Sequence, residues 1–315
     1  MSETTHTLRL GTRGSLLAKT QSQLVASDLE KLHKGLAVEL VIVKTTADGI
    51  QDKPLYEFGG KGLFIKEIEQ ALLRGEVDVA VHSFKDVPVT EPLVDQADLA
   101  VAAVPEREDP RDVFCSLIAK QVSELAQGAK VGTSSLRRRA QLLAQRPDLT
   151  IDVLRGNIDT RLRKLRDGQF DAIILAAAGL RRTGLYNEAE MLMLDVDVMV
   201  PAPGQGALAV QCRRGDDRTR ELLVPLDHVD TERCVTAERV IVAALGGDCH
   251  SPIGALAEIE GGEMTLTAAI GSRGGNTPVI HAKAICPAEH SDGAVGDVLK
   301  LLSDQHVKDI LANGR

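Results

Sequence analysis

A coarse internal repeat limits the architecture of this chain more than any other feature. Gly75-Glu-Val-Asp78 stands before the apolar run Val79-Ala80-Val81, and Gly168-Gln-Phe-Asp171 stands before a run containing Ile173. Arg9-Leu-Gly-Thr-Arg-Gly-Ser15 is echoed by Lys130-Val-Gly-Thr-Ser-Ser135, and each leads into a helical pattern. In the first segment Leu8 to Leu10 predicts a strand and Ser15 an N-cap. A helix then runs to about His33, with Leu17, Gln21, Leu24 and Leu32 near one face, and Val38 to Val43 forms a second strand. Ile65, Ile68 and Leu72 recur at helical spacing, and Gly75 ends that helix. In the second segment a strand spans Thr150 to Leu154, and a helix capped by Asn157 carries Ile158, Leu162 and Leu165 on one face. Short apolar runs bounded by polar residues read as buried strands of a parallel sheet. The order β-α-β-α-β therefore occurs twice, giving two similar α/β domains with a period too long for a solenoid.

The polar stretch Pro105 to Asp112 reads as the first crossover between these domains, and Val200-Pro-Ala-Pro-Gly-Gln-Gly206 as the second. Ala207 to Gln211 then forms a strand returning to the first domain. After this the pattern changes. Thr231 to Leu245 predicts a helix with Val235, Ala237, Val240, Ile241 and Ala244 near its apolar side. Alternating strands follow at Ile253 to Glu258, Met264 to Ile270 and Val279 to Ile285, and a last helix carries Val298, Leu301 and Leu302. The expected division is residues 1–105 with 200–224, residues 106–199, and a small α+β domain over residues 225–315.

A chain of 315 residues is long enough for domains that each bury a core. The formal charge of −8 and an aromatic content of 2% argue against nucleic acid as a partner, which would call for basic surface and stacking platforms. The start, Met-Ser-Glu-Thr-Thr-His, has neither a basic region nor an apolar one, and no apolar run reaches membrane-spanning length. The expectation is a cytoplasmic protein without a membrane partner. The five cysteines, Cys115, Cys212, Cys234, Cys249 and Cys286, are odd in number and lack a C-x-x-C pair, which fits reduced thiols and no structural metal. Cys249 stands apart in the loop Gly246-Gly-Asp-Cys-His-Ser-Pro252, where preceding glycines free the backbone to present a thiol; Cys212 and Cys234 read as core.

Ligands of open α/β sheets bind outside the carboxyl ends of the strands. This places His82, Ser83, Lys85 and Asp86 in a cleft, with Asp86 the reacting carboxylate. Lys61, among the glycines of residues 59–62, is suited to meet an anion, although no Walker P-loop is matched. Arg137 and Arg138 open a helix after Thr133, Ser134 and Ser135, and Arg155, Arg161 and Arg182 lie beyond similar junctions. Helix N-termini favour anions and guanidinium forks bind carboxylates, so these residues and Arg13 imply a polycarboxylate ligand. Arg139, Arg163 and Arg166 read as solvated.

Together these motifs resemble the porphobilinogen deaminases over nearly the whole chain. They are Gly-Thr-Arg-Gly-Ser at 11–15, Gly-Gly-Lys-Gly-Leu-Phe at 59–64, Val-His-Ser-Phe-Lys-Asp-Val-Pro at 81–88 and Gly-Thr-Ser-Ser-Leu-Arg-Arg at 132–138. Leu-Arg-Gly-Asn at 154–157, Pro-Gly-Gln-Gly-Ala-Leu at 203–208 and the Cys249 loop complete the set. The resemblance implies two periplasmic-binding-protein-like α/β domains plus a small α+β C-terminal domain. It implies hydroxymethylbilane synthase activity, a transferase reaction of porphyrin, tetrapyrrole and heme biosynthesis that condenses four porphobilinogen units with loss of ammonia. A dipyrromethane cofactor would be held as a thioether on Cys249. Ser83, Lys85, Asp86, Thr133, Ser134, Ser135, Arg137, Arg138 and Arg155 would serve the cofactor. Arg13, Ser15, Lys61, His82, Arg155, Arg161 and Arg182 would serve porphobilinogen and the growing oligopyrrole chain. A monomer is the family expectation. Glu57 and Asp248 depart from the pattern, standing where some relatives have Lys and where Gly is more usual. The competing class is an anion-binding clamshell of solute-binding type, against which the Cys249 domain weighs.

Overall fold

The computed structural model describes residues 6–44, 65–89, 98–248, 250–272, 274–275, 278–305 and 307–312, and the elements below are those of these residues. Lys61, Glu57, the glycines of residues 59–62 and Cys249 lie outside them. Two compact units result, residues 1–107 with 207–232 and residues 108–206 with 233–315.

In the first unit, β1 (His6–Thr12), α1 (Leu16–Leu32), β2 (Leu36–Ile42), α2 (Lys66–Leu73), β3 (Val79–Ser83) and β4 (Leu99–Ala103) are joined by β10 (Leu208–Arg213) and α6 (Asp217–Leu223), which come from later in the chain. The sheet order is β2-β1-β3-β10-β4. In the second unit, β5 (Asp112–Cys115), β6 (Lys130–Gly132), α3 (Leu136–Gln145), β7 (Thr150–Asp152), α4 (Ile158–Arg166), β8 (Ala172–Ala176), α5 (Ala177–Arg182) and β9 (Met191–Met193) build a sheet of order β7-β6-β8-β5-β9. The two orders are the same, place for place. In each, the fourth strand runs antiparallel to both neighbours, so β3 lies in a mixed sheet rather than the parallel one expected. The cause is connectivity: β10 and β5 are the first strands after a passage from the other unit, and each enters its sheet from the opposite end.

The repeat extends to single hydrogen bonds. Asp78 N donates to Arg9 O at 2.8 Å and Arg9 N to the Asp78 carboxylate at 3.0 Å; Asp171 N donates to Lys130 O at 2.9 Å and Lys130 N to the Asp171 carboxylate at 2.7 Å. Each aspartate thus starts one central strand by closing a ring with its neighbour. Gly11 and Gly132 occupy matching places, since an added Cβ would meet Val77 at 3.1 Å in one and Phe170 at 2.9 Å in the other. Gly75 and Gly168 take φ of 67° and 70°, a left-handed conformation that ends the preceding helix without the cost a side chain would add.

Helix faces were read less well than helix positions. The buried stripe of α1 is Gln21, Ser22, Val25, Ala26 and Leu29, whereas Leu24 and Leu32 are exposed. At about 100° per residue Leu24 is a quarter-turn off Val25, and Leu32 is the last helical residue. Ser15 caps the helix as expected, accepting from Ala18 N; Asn157 precedes α4 but makes no side-chain cap bond.

The helix α7 (Val229–Ala244) leads to β11 (Ile253–Glu260), β12 (Glu263–Ile270) and β13 (Ile280–Pro287), an antiparallel sheet followed by α8 (Ser291–Asp304) and α9 (Val307–Ala312). On α7 Val240 and Ala244 are exposed and Val242 is buried, and on α8 Leu301 is exposed while Val298 and Leu302 are buried. The buried Glu238 carboxylate accepts Gly204 N at 2.6 Å and Ala257 N at 2.9 Å, tying this sheet to the Pro-Gly-Gln-Gly stretch. Among the described residues no helix is long and apolar enough to cross a membrane.

Candidate functional site

The last two residues of β3 point to opposite faces of the sheet, as alternation requires. Ser83 follows Val79 and Val81 toward the α1 core, where its hydroxyl accepts from Gln21 Nε2 at 2.9 Å. His82 follows Ala80 toward the α2 core, where its Nε2 meets Gln211 Oε1 at 3.0 Å. Two buried glutamines thus pin the strand end, one on each face. Phe84 N donates to Ala207 O, and one turn of 3-10 helix (Phe84–Asp86) follows, anchored by buried Phe84. Pro88 disfavours helical backbone at the residue before it, and Val87 is extended (φ −75°, ψ 123°). The turn therefore ends with Asp86 exposed and Lys85 half-buried. Arg13 and Ser15 follow β1, which runs parallel beside β3, so they belong to the same sheet edge.

His82, expected to bind substrate, is 6% exposed. Burial drives its imidazole down to about 4, against the opposing effect of the Gln211 bond, so it is neutral at neutral pH.

In the second unit Thr133, Ser134 and Ser135 follow β6, Arg155 and Arg161 lie beyond β7, and Arg182 ends α5 after β8. These three strands are parallel neighbours, so the residues gather at one edge. Ser135 caps α3 by accepting Arg138 N, Thr133 Oγ1 accepts Ser135 N, and Ser134 donates to Leu154 O. Arg161 Nε donates to Gly156 O at 2.7 Å, and Arg182 donates to Gly206 O at 2.8 Å. Arg163 and Arg166 are exposed, as expected, but Arg139 is half-buried with its side chain against Gly275.

Arg137 and Arg138 point inward. Arg137 Nη1 donates to Asp112 Oδ2 at 2.6 Å and to Val200 O; Arg138 donates to Asp112 Oδ1 through Nε and Nη2, and to Ile174 O through Nη1. Gln205 Nε2 adds a bond to Asp112 Oδ1 at 2.9 Å. Burial alone would raise the Asp112 carboxyl, but the two guanidiniums hold it well below the usual carboxylate range. Two cations against one anion leave this buried cluster with an excess positive charge, and Arg137 Nε has no hydrogen-bond partner among the described residues. That excess, the hydroxyls of residues 133–135 and the N-terminus of α3 fit a group bearing carboxylates.

Sequence reasoning passed over Gln211, Glu69, Asp112 and Gln205. Gln211 and Glu69 carried a signal: each interrupts an apolar pattern, Leu-Ala-Val-Gln-Cys in a strand and Ile-Glu-Gln-Ala-Leu on a helix. Such a polar residue is tolerated inside only when paired. The cysteines Cys115 and Cys212 are buried, and burial pushes their thiols up to about 12 and about 11, which makes them poor nucleophiles. The Asp248 carboxylate accepts His250 N and the Ser251 hydroxyl.

Each unit is an α/β sheet with a polar edge, the first carrying an exposed carboxylate and the second a set of arginines suited to anionic ligands. Residues 8–221 match the family model "Porphobilinogen deaminase, dipyromethane cofactor binding domain", and residues 232–300 match "Porphobilinogen deaminase, C-terminal domain". Curated porphobilinogen deaminases from two strains of Acidithiobacillus ferrooxidans are each 50% identical over 279 residues, covering 89% of this chain and 89% of theirs. The chain belongs to the porphobilinogen deaminase family. Among solved structures it is similar to the methionine binding protein MetQ (15% identity, 76% of this chain and 94% of that one, TM-score 0.46). It is also similar to a periplasmic substrate-binding protein of an ABC transporter from Coxiella burnetii (17% identity, 70% and 91%, TM-score 0.43).

Proposed function

We propose that the chain is a hydroxymethylbilane synthase, condensing four porphobilinogen molecules into a linear tetrapyrrole with release of ammonia. The observation that carries the chemistry is the exposed carboxylate of Asp86, on a turn whose preceding residues are locked from both faces of the sheet by Gln21 and Gln211. Porphobilinogen loses its protonated amine as ammonia when the pyrrole nitrogen supplies the electron pair. The C–N bond breaks and a cationic azafulvene remains. An anion fixed beside that cation stabilises it most where it needs no reorganisation, which is what a pinned turn provides. A pyrrole carbon then attacks, a C–C bond forms, and the carbon that attacked loses its proton; Asp86 holds or passes protons at the amine and pyrrole nitrogens.

The family's dipyrromethane, bound through Cys249, would supply the terminal pyrrole on which the first condensation occurs. Ser83, Lys85, Asp86, Thr133, Ser134, Ser135, Arg137, Arg138 and Arg155 serve that group, the last three through charge. Arg13, Ser15, Lys61, Arg155, Arg161 and Arg182 serve porphobilinogen and the lengthening chain, whereas His82, expected among them, is buried against Gln211. The residues are distributed over three domains, residues 1–105 with 200–224, 106–199 and 225–315, acting as a cytoplasmic monomer. Incubation of purified protein with porphobilinogen tests the reading. Release of ammonia with formation of hydroxymethylbilane is expected, whereas saturable binding of unchanged porphobilinogen would favour the solute-binding class.

A further inference from the structure

Glu69, Gln211 and His82 form a buried line of hydrogen bonds on the α2 face of the first sheet, exposed by 1%, 5% and 6%. Gln211 Nε2 donates to Glu69 Oε1 at 2.9 Å, and Gln211 Oε1 lies 3.0 Å from His82 Nε2. Gln211 is opposite Ala80 in the ladder between β10 and β3, so it is the diagonal neighbour of His82 on the same face.

An amide has a donor end and an acceptor end, whereas an ionised carboxylate only accepts. Glu69 therefore turns the NH2 of Gln211 toward itself and leaves the carbonyl for His82. That carbonyl also only accepts, so the proton of the neutral imidazole belongs on Nε2, and Nδ1 is bare. We propose that Glu69 is a positioning residue for the reaction, acting through Gln211 to hold His82 as the Nε2–H tautomer at the foot of the Lys85–Asp86 turn. The proposal rests on Asp86 as the reacting carboxylate. The His82–Gln211 bond pins the end of β3, so a single tautomer gives the turn that carries Asp86 a single position.

Burial raises the Glu69 carboxyl, and the Gln211 bond offsets only part of that rise. Glu69 Oε2 is buried with no hydrogen-bond partner among the described residues. A carboxyl in such a place costs stability that an apolar side chain would not. Orientation of the Gln211 amide is the return.

Long-range proton–nitrogen spectra of the full-length protein labelled with 15N-histidine test this, with the His82 signals assigned by their loss in His82→Gln. The wild type is expected to show Nε2 as a protonated nitrogen and Nδ1 as an imine nitrogen at neutral pH. Glu69→Gln frees the amide to turn, so Nδ1–H should appear and kcat should fall as the strand end loses its single bonded state. KM should change little. Glu69→Gln with Gln211→Glu restores an acceptor opposite His82, and Nε2–H should return. An Nδ1–H or doubly protonated His82 in the wild type would overturn the proposal without recourse to any variant. So would unchanged His82 nitrogens in a folded Glu69→Gln protein, whatever its activity. Full turnover in Asp86→Asn, with His82 responding as expected, would instead reject the assignment of Asp86 and leave tautomer control standing.

Discussion

Asp112 and Arg138 are joined through a single oxygen: Arg138 Nε at 3.1 Å and Nη2 at 2.7 Å both donate to Asp112 Oδ1, with both side chains buried. The bond ties the first residue of β5 to the first turn of α3, and Arg137 completes the carboxylate from the other side.

Removing the anion leaves two guanidiniums buried together. Asp112→Asn should therefore cost about 3–5 kcal/mol of unfolding free energy, the range for breaking a buried pair from one side. Denaturant melts measure this. The carboxyl is depressed in the folded state, so its contribution is fully present above its unfolded value of about 4 and is lost as pH falls through the folded one. The gap between wild type and Asp112→Asn should close as the melts are moved into acid below about pH 4. A gap independent of pH there would place the loss in packing and not in charge.

Asp86 is exposed and ends a turn held by other residues. Asp86→Asn keeps the shape and removes the charge, so melting should be unchanged while turnover falls by orders of magnitude, about 3–4 kcal/mol in barrier. Steady-state assay of porphobilinogen consumption decides; near wild-type turnover would refute the role.

The arginines offer an internal control. Arg155 and Arg161 lie beyond β7 at the polar edge, while Arg166 is exposed near Glu190, with a contact of 3.5 Å. Arg155→Leu and Arg161→Leu should impair chain elongation more than Arg166→Leu, because a carboxylate loses a charge-assisted partner in the first two only. The distribution of bound intermediates by mass spectrometry reads this directly, and equal effects at all three would remove the carboxylate track.

Much of this was legible in the sequence because the repeat is written in local chemistry. The Gly75 helix end and the Ser15 cap depend on a few adjacent residues and stand where expected, although Asn157 makes no cap bond. What sequence withheld depends on residues distant along the chain. Nothing local shows that β10 lies antiparallel between β3 and β4, or that Asp112 meets Arg137 and Arg138. Arg137 and Arg138 stand at a helix start that reads as facing ligand; in place they turn inward to Asp112. The strand-end rule puts His82 in the cleft, yet its place in the period-two alternation, with Ala80, turns it toward Gln211.

The central claim is that this chain grows a tetrapyrrole on a primer tethered to Cys249. The measurement that tests it most directly is the intact mass of purified protein, before and after porphobilinogen, with the peptide containing Cys249 isolated. The protein should be heavier than its sequence by one dipyrromethane, confined to that peptide, and porphobilinogen should add discrete heavier covalent species. Cys249→Ser should load poorly and lose most activity. Cys212→Ser and Cys234→Ser, at buried thiols of the core, should retain both load and activity in folded protein. An unmodified Cys249 in a fully active preparation would contradict the account.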